Sequence, residues 1–231
     1  MKKQVRKIIV MSLGGSLIVP DEINTPLLNK FKQVIKKNLN KYKFVIVCGG
    51  GSIARKYIKA LREQGKSEYL QSMSGIAVTR MNARFMTYFF GKDANQGIPH
   101  DMKHIASLLR RRKIVFCGAL RYKPDNTSDG TAASLAGFLN CEFINITDVK
   151  GVYTSNPKTH KNAEFLKNVS WKQFNEMASK IKFKAGQHFV LDQNASKIIM
   201  KNKVPTYIIG DLGDLDRILS GKSYKGSLIY G

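Results

Sequence analysis

The sequence has few acidic residues and few cysteines, and it contains no long apolar run. Its 231 residues include 16 Asp and Glu against 39 Lys and Arg, a formal net charge of +23. Three cysteines are too few for a disulfide framework, which favours a reducing, cytoplasmic setting. No His/Cys cluster has the spacing of a metal site, and no apolar run reaches the ~18 residues of a membrane span. Disulfide-rich, zinc-binding and membrane-spanning classes are therefore excluded.

The apolar content is high enough for a sizeable core. Hydrophobic residues make up 43% of the chain, which argues against a disordered polycation. The start of the chain is basic and then apolar, as in a signal peptide, but Gly14-Gly15-Ser16 interrupts the apolar stretch. We therefore predict a buried first strand over Lys7–Leu13 and one domain over residues 1–231.

Short β-branched apolar runs alternate with amphipathic stretches along the chain. Strands are predicted at Lys7–Leu13, Phe44–Cys48, Ile114–Cys117, Glu142–Thr147 and Thr206–Ile209, with Ser227–Tyr230 as an edge strand. Helices are predicted at Thr25–Leu39, Ser52–Gln64 with Ser52 as N-cap, Ser74–Phe90, His100–Arg112, Asp129–Leu139, Ser170–Ile181, Asp192–Asn202 and Gly213–Leu219. This alternation indicates an α/β fold with a mostly parallel sheet covered on both faces.

Two glycine-rich turns follow predicted strands. Gly14-Gly15-Ser16 follows the first strand and Gly49-Gly50-Gly51 the second. Glycines let the backbone approach a ligand and turn its N–H groups toward an anion. Arg55 lies about one turn into the next helix, where a guanidinium can clamp a phosphate. Ligands bind beyond the carboxyl ends of strands in such sheets, so we predict a phosphate site at the second turn. The first turn, taken alone, suits either a plain tight turn or an anion site.

Two other motifs leave alternatives open. Gly49, Gly51 and Ala54 also spell the G-x-G-x-x-A dinucleotide fingerprint, which requires a second strand ending in an acidic residue near Glu68. The stretch around Glu68 does not resemble such a strand, so we disfavour that interpretation. Asn126-Thr127-Ser128-Asp129 opens a predicted helix, where it suits either an N-cap or the recognition of nucleotide hydroxyls.

Taken in order, these segments resemble the amino acid kinase family, and within it the archaeal-type uridylate (UMP) kinases. The motifs that carry the resemblance are Ser12-Leu13-Gly14-Gly15-Ser16, Gly49-Gly50-Gly51 with Ala54-Arg55, Thr79-Arg80 with Asn82-Ala83, Thr127-Ser128-Asp129, Gly151-Val152-Tyr153-Thr154 and Lys197-Ile198-Ile199. The resemblance runs over nearly the whole chain. It implies a three-layer αβα sandwich, a homohexamer, and transfer of the ATP γ-phosphate to UMP with Mg²⁺.

Site residues follow from the resemblance position by position. It implies that ATP is held by Gly14, Gly15, Ser16, Gly51, Arg55, Thr147, Asp148, Tyr153 and Asn156. It implies that UMP is held by Gly50, Ser72, Gly118, Asn126, Thr127 and Ser128. Arg55 and Asp129 are the expected catalytic residues, with Asp129 orienting cationic groups or the metal. The acceptor part would span about residues 1–120 and the ATP part about 121–231.

Two features of the sequence leave functions other than UMP phosphorylation open. Ser72 stands where the family commonly has an acidic residue near the nucleotide ribose, so another acceptor than UMP stays open. The net charge and the run Arg110-Arg111-Arg112-Lys113 also suit a kinase-fold protein that binds nucleic acid. The excess of Lys over Arg favours compositional bias instead, so nucleic acid is not the expected partner.

Overall fold

A computed structural model describes residues 6–124, 126–155, 157, 159–180 and 191–231. Its strands are β1 (Lys7–Leu13), β2 (Tyr42–Cys48), β3 (Ile114–Cys117), β4 (Glu142–Ile146), β5 (Val152–Tyr153), β6 (Phe165–Leu166), β7 (Asn168–Val169), β8 (Thr206–Ile209) and β9 (Ser227–Ile229). Its α-helices are α1 (Gly15–Ile18), α2 (Thr25–Lys37), α3 (Gly51–Glu63), α4 (Glu68–Phe90), α5 (Met102–Arg111), α6 (Ser128–Leu139), α7 (Trp171–Ser179), α8 (Gln193–Asn202) and α9 (Leu212–Leu219).

A seven-stranded sheet in the order β3-β2-β1-β4-β8-β9-β7 forms the middle layer. The five strands β3, β2, β1, β4 and β8 run parallel, and β9 runs antiparallel to β8. Helices α1, α2, α4 and α9 cover one face, and α5 to α8 cover the other. Along β1, Ile9, Met11 and Leu13 enter the first apolar cluster and Val10 the second. The predicted three-layer αβα architecture is confirmed.

The prediction that Ser227–Tyr230 forms an edge strand is wrong. β9 lies between β8 and the two-residue strand β7. Ser227 is fully buried, and its hydroxyl accepts a hydrogen bond from Val152 N at 2.8 Å and donates one to Leu166 O. A serine inside the sheet is tolerated because both of its hydrogen-bonding functions are satisfied.

Two predicted helix starts also need correction. α4 begins at Glu68, six residues before the predicted start, and the Ser67 hydroxyl accepts from Leu70 N. Because Glu68 opens a helix and no strand precedes it there, the dinucleotide interpretation fails. α3 begins after Gly50, and the hydroxyl of Ser52 donates to Pro20 O at 2.9 Å instead of capping the helix. At the start of α7, Gln173 N donates to the Ser170 hydroxyl and Ser170 N donates to the Gln173 side chain, which forms a capping box.

Three properties of the described residues concern membrane spans, metal clusters and thiols. Within the described ranges, no helix has the length and apolarity to cross a membrane. The same ranges hold no group of three acidic, His or Cys side chains suited to a metal ion. Cys48, Cys117 and Cys141 are free thiols, and burial raises the pKa of Cys117 to about 12. That thiol is therefore protonated near neutral pH and is a poor nucleophile.

Candidate active site

Four segments that carry expected site residues lie at one edge of the sheet, beyond the carboxyl ends of neighbouring strands. Gly118 follows β3, the turn at 49–51 follows β2, the turn at 14–16 follows β1, and Thr147 follows β4. Since these strands are adjacent in the order β3-β2-β1-β4, the four segments lie side by side. The topology therefore brings together segments that lie more than 130 residues apart in sequence.

The two glycine turns touch backbone to backbone. A Cβ atom built on Gly15 would lie 2.2 Å from Gly51 N and 2.5 Å from Gly49 O. Gly51 also has a φ of +63°, a conformation that favours glycine. From α4, Asn82 Nδ2 donates to Gly49 O at 2.7 Å and fixes the second turn. No side chain larger than hydrogen fits at position 15, so the turns form a single main-chain surface.

The helices that start at these turns lack side-chain caps. α1 begins after Gly14 and α3 after Gly50, and neither has an acidic residue in its first turn. All other α-helices of the described residues have a side-chain cap, supplied by Asn24, Ser67, Asp101, Thr127, Ser170, Asp192 and Asp211. Uncapped N–H groups at a helix N-terminus attract anions. This part of the edge is therefore suited to phosphate.

Arg55 adds a full positive charge beside this surface. It lies one turn into α3, and its side chain is exposed. Within the described part of the chain it forms no ion pair and no side-chain hydrogen bond. Ser16, on α1, is likewise exposed at the neighbouring turn. Both side chains are thus free of any role in holding the fold.

Asp129 lies at the start of α6, opposite β1. Ser12 Oγ donates to Asp129 Oδ1 at 2.7 Å. Thr127 caps the helix, since its hydroxyl accepts from the backbone N–H groups of Asp129 and Gly130, each at 3.1 Å. Burial and the nearby charge of Asp192 raise the pKa of Asp129 to about 7, against the hydrogen bond from Ser12. Asp129 therefore titrates near neutral pH.

Sequence reasoning missed the part played by Asp192. Its carboxylate accepts a hydrogen bond from the Thr127 hydroxyl and another from Ala195 N at 2.8 Å, which caps α8. Nearby, Asn194 Nδ2 donates to Asn126 Oδ1 at 3.1 Å. Asp192 is recognisable in the sequence only as a helix start, because 65 residues separate it from Thr127. The segment 126–129 and the start of α8 thus form one polar cluster.

The loop after β3 is fixed on α4. Gly118 approaches so closely that an added Cβ would lie 2.6 Å from Arg80 N. Ala119 N donates to Thr79 Oγ1 at 2.9 Å, and the Arg80 guanidinium donates to the carbonyls of Ala119 and Leu120. Thr79 and Arg80 therefore hold the loop after β3 against α4, a role that the sequence alone did not assign to them.

An aromatic pair extends the same contact. The rings of Tyr69, on α4, and Tyr122, on the loop, meet edge to face with centroids 5.0 Å apart. Ser72 follows Tyr69 by three residues on α4, which places it on the same helix face, and it is partly exposed. The end of β3 is therefore flanked by a loop and a helix that are held together by both polar and aromatic contacts.

A cleft opens on the other side, at the ends of β4 and β8. Its volume is about 360 Å³, and its lining includes Leu17, Ile146 and Asp211. Thr147 and Asp148 follow Ile146 directly, and Thr147 Oγ1 donates to Asp148 Oδ1 at 3.3 Å. The predicted residues Thr147 and Asp148 thus lie next to a partly apolar cleft that begins at the first glycine turn.

Tyr153 lies farther along, on the short hairpin of β5 and β6. Its ring meets that of Phe165 edge to face at 5.5 Å between centroids. A second cleft, of about 330 Å³, is lined by Tyr153, Phe165, Tyr224 and the lysines Lys150, Lys167 and Lys225. Asn156, the last predicted contact of ATP, lies outside the described residues.

Known proteins are similar to this chain over nearly its whole length, including the segments at this edge. The family model described as "Amino acid kinase family" matches residues 7–210. Uridylate kinase of Archaeoglobus fulgidus is 35% identical over 222 residues, which is 96% of this chain and 97% of that protein. Uridylate kinase of Thermococcus kodakarensis is 32% identical over 224 residues, 96% of this chain and 98% of that one. The crystal structure of the A. fulgidus protein superposes with a TM-score of 0.83 at 33% identity, over 96% of this chain and 99% of that one.

Proposed function

The chain belongs to the amino acid kinase family, and from this premise we propose that it is a UMP kinase, which transfers the γ-phosphate of ATP to UMP and releases ADP and UDP. One observation carries the proposal: two uncapped glycine turns meet backbone to backbone at the carboxyl edge of the sheet, in a chain similar to uridylate kinases over 96% of its length. The reaction belongs to pyrimidine nucleotide biosynthesis.

The order of the strand ends supports an arrangement of the two substrates. UMP would lie at the ends of β3 and β2, against Gly50, Ser72, Gly118, Asn126, Thr127 and Ser128. The ATP phosphates would lie at β2 and β1, against Gly14, Gly15, Ser16, Gly51 and Arg55. The nucleoside end of ATP would lie beyond β4, against Thr147, Asp148, Tyr153 and Asn156. In this arrangement the phosphate end of ATP would lie next to the acceptor, which transfer between the two substrates requires.

The chemistry needs charge stabilisation more than it needs a base. The UMP phosphate is already largely ionised near neutral pH, since its second pKa is about 6. One of its oxygens forms a bond to the γ-phosphorus as the bond from that phosphorus to the ADP oxygen breaks. Repulsion between the two anionic substrates is offset by the N–H groups of the glycine turns and by Arg55. We assign Asp129 to orienting the cationic groups of the site.

Mg²⁺ would enter as part of the MgATP substrate. The described residues hold no cluster of three metal-binding side chains, so they do not form a cage for a resident ion. A single carboxylate near the phosphates suits Mg²⁺, which usually keeps several waters and is bound by substrate phosphates with one or two carboxylates. We assign that role to Asp129, which lies beside β1 through its hydrogen bond with Ser12.

We also propose a homo-oligomer, a hexamer by family resemblance, located in the cytoplasm. Exposed apolar side chains on α4 support the assembly: Met81 is 56% and Tyr88 is 72% exposed, and they are seven residues apart on one helix face. Light scattering coupled to size-exclusion chromatography tests the oligomer number. A monomer at micromolar concentration would contradict it.

An acceptor panel tests the proposed function directly. The full chain is mixed with ATP, Mg²⁺ and one nucleoside monophosphate at a time, and ADP and the nucleoside diphosphate are both measured. We expect UMP to give the highest kcat/KM. Turnover with a different acceptor only, which Ser72 makes the main alternative, would refute UMP as the substrate and keep the kinase assignment. The absence of turnover with every acceptor would refute both.

Arg55→Ala is expected to lower kcat/KM for ATP by about a hundredfold while leaving the melting temperature almost unchanged. The side chain is exposed and makes no contact that the fold needs, whereas a charge-assisted bond to a phosphate contributes about 2–3 kcal/mol. Lys59→Ala is the matched control, because Lys59 lies one turn farther along α3 and only pairs with Glu63. Activity of Arg55→Ala equal to that of the control would contradict the assignment.

Tyr122→Ala is expected to raise KM for UMP about threefold to tenfold and to leave KM for ATP unchanged. The substitution removes the ring contact with Tyr69, which an aromatic pair of this kind stabilises by about 0.5–1.5 kcal/mol. The acceptor loop then loses one of its attachments to α4. Steady-state kinetics measure KM for UMP and KM for ATP separately, with Tyr230→Ala as the control. A change in KM for ATP alone would contradict the assignment of this loop to UMP.

A further inference from the structure

The edge of the sheet opposite the glycine turns is strongly basic. In β1, β2 and β3 the residues at or just before the first strand position include Lys7, Lys41 and Lys113. Lys7 N bonds to Lys41 O at 3.2 Å, and Phe44 N bonds to Lys113 O at 2.8 Å. Neighbouring strands lie about 4.8 Å apart, so cations from three strand starts are held within roughly 10 Å. We call this surface the amino-edge cluster: Arg6, Lys7, Lys41, Lys43, Lys92, Arg110, Arg111, Arg112 and Lys113.

Arginines are concentrated in this cluster. α5 ends at Arg111, and the side chains of Arg110 and Arg111 are exposed. Arg112 Nη1 donates to Lys92 O at 3.0 Å, which joins the end of α5 to the segment after α4. Four of the ten arginines of the chain lie here, together with five of its 29 lysines. A general enrichment in lysine does not account for that placement.

The cluster has no internal counter-charge. Within the described ranges, none of its nine members forms an ion pair. Where the side chains have partners, these are main-chain carbonyls: Arg6 Nε donates to Leu39 O at 3.1 Å, and Lys43 Nζ donates to Leu109 O. A carbonyl satisfies a donor but leaves the positive charge in place.

The acidic residues near the cluster are already engaged. Asp93 pairs with Lys36 at 2.8 Å, and Asp216 pairs with Lys37 at 2.8 Å. Glu142, at the start of β4, accepts a hydrogen bond from Tyr207, keeps its negative charge and marks the border of the cluster. The unneutralised charge therefore extends over the three strand starts and the end of α5.

We propose that the amino-edge cluster binds the sugar–phosphate backbone of a nucleic acid, on a surface separate from the nucleotide site. Closely spaced cations release condensed counterions when they contact a chain of phosphates, which drives such binding. Arginine forks add paired hydrogen bonds to phosphate oxygens. A membrane surface fits less well. Across the described residues, none of the exposed large hydrophobic side chains lies in segments 6–8, 39–44 or 109–114, and Tyr88 is the one that lies close in sequence to a member of the cluster, Lys92, so apolar anchors are scarce.

The test measures binding of the full chain to two labelled probes of equal length, a single-stranded RNA and a duplex DNA. Fluorescence anisotropy is recorded at about 50 and 200 mM salt, with phosphatidylserine vesicles as a competitor. The variant is Arg110→Glu with Arg111→Glu. Its control is Lys172→Glu with Lys201→Glu, which changes the net charge by the same amount at exposed positions on α7 and α8. ADP formation is measured for every protein.

We expect salt-sensitive binding of at least one probe, weakened at least tenfold in the arginine variant and less than twofold in the control. ADP formation should stay unchanged in both, which keeps this test independent of the kinase proposal. The probe that binds more tightly identifies single-stranded RNA or duplex as the source of the backbone. Equal weakening in both variants would overturn the proposal, because net charge alone would then explain the binding. Loss of binding with saturating ATP and UMP, stronger binding to the vesicles, or no binding at all would also overturn it.

Discussion

Asp129→Asn is expected to lower kcat by at least about a hundredfold and to make the fold more resistant to heat above pH 7. The loss of activity follows from the position of the carboxyl group, at the start of α6 and hydrogen-bonded to Ser12 beside the glycine turns. The gain in stability follows from burial, because the folded state disfavours the charge of Asp129. Opposite effects on activity and stability are typical of a group kept for function.

Loss of the proton from Asp129 makes the wild-type fold less stable as the pH rises from about 4 to about 7. The pKa of Asp129 is about 7 in the folded state, whereas a carboxyl group of an unfolded chain titrates near 3.9. The folded state therefore holds the proton more tightly. The associated stability is fully present below about pH 4 and is lost as the pH rises to about 7. An amide does not titrate, so Asp129→Asn should escape that loss.

Thermal unfolding of the wild type and of Asp129→Asn at pH 5 and pH 8 tests this pH dependence. The gap between the melting temperatures of Asp129→Asn and the wild type should widen in favour of the variant at pH 8. Asp211→Asn is the control, because Asp211 is an exposed helix cap and asparagine caps helices equally well. Wild-type kcat in Asp129→Asn would remove Asp129 from the catalytic site. A lower melting temperature than the wild type at pH 8 would show that its charge is stabilised in the fold.

Gly15→Ala is expected to destabilise the fold by on the order of 3 kcal/mol and to abolish measurable activity. The added methyl group would lie 2.2 Å from Gly51 N, and the nearest other atoms also belong to the main chain. Neither turn can move aside without displacing the start of a helix. Both effects follow from separation of the two turns.

Gly14→Ala is the matched control for stability. Its Cβ would meet Ile146 O at 3.5 Å, an ordinary contact, and the φ of Gly14 is −53°, which alanine adopts freely. Urea unfolding of both variants should show a clear loss for Gly15→Ala and a change of about 0.5 kcal/mol or less for Gly14→Ala. Equal midpoints for the two variants would contradict the contact between the turns.

The sequence was sufficient to predict the parallel core and the position of the two glycine turns at strand ends. The middles of β1 (Ile8-Ile9-Val10) and β2 (Phe44-Val45-Ile46-Val47) are apolar runs rich in β-branched residues, which is the pattern of a sheet buried on both faces. The glycine turns interrupt these runs abruptly, so their position at strand ends is readable from local sequence. Their mutual contact is not, because it depends on β1 and β2 being neighbours.

The remaining features depend on tertiary contacts. β5, β6 and β7 have two residues each, too few for any period to show. The first turns of α4 expose Tyr69 and Leu70, which hides the amphipathic pattern there. Asp192 influences Asp129 only because α8 packs beside α6 in the folded chain. Roles of individual residues in the site stay predictions until the variants above are measured.

The central position of β1 has a consequence for synthesis of the protein. β1 pairs with β2 on one side and with β4 on the other. At about 5–20 residues per second, the ribosome takes roughly 5–20 s to extend the chain from the end of β2 at Cys48 to the start of β4 at Glu142. During that interval one side of β1 has no partner, and unpaired apolar strand edges invite association with other chains. The nascent chain is therefore expected to depend on chaperones most strongly before its second half emerges.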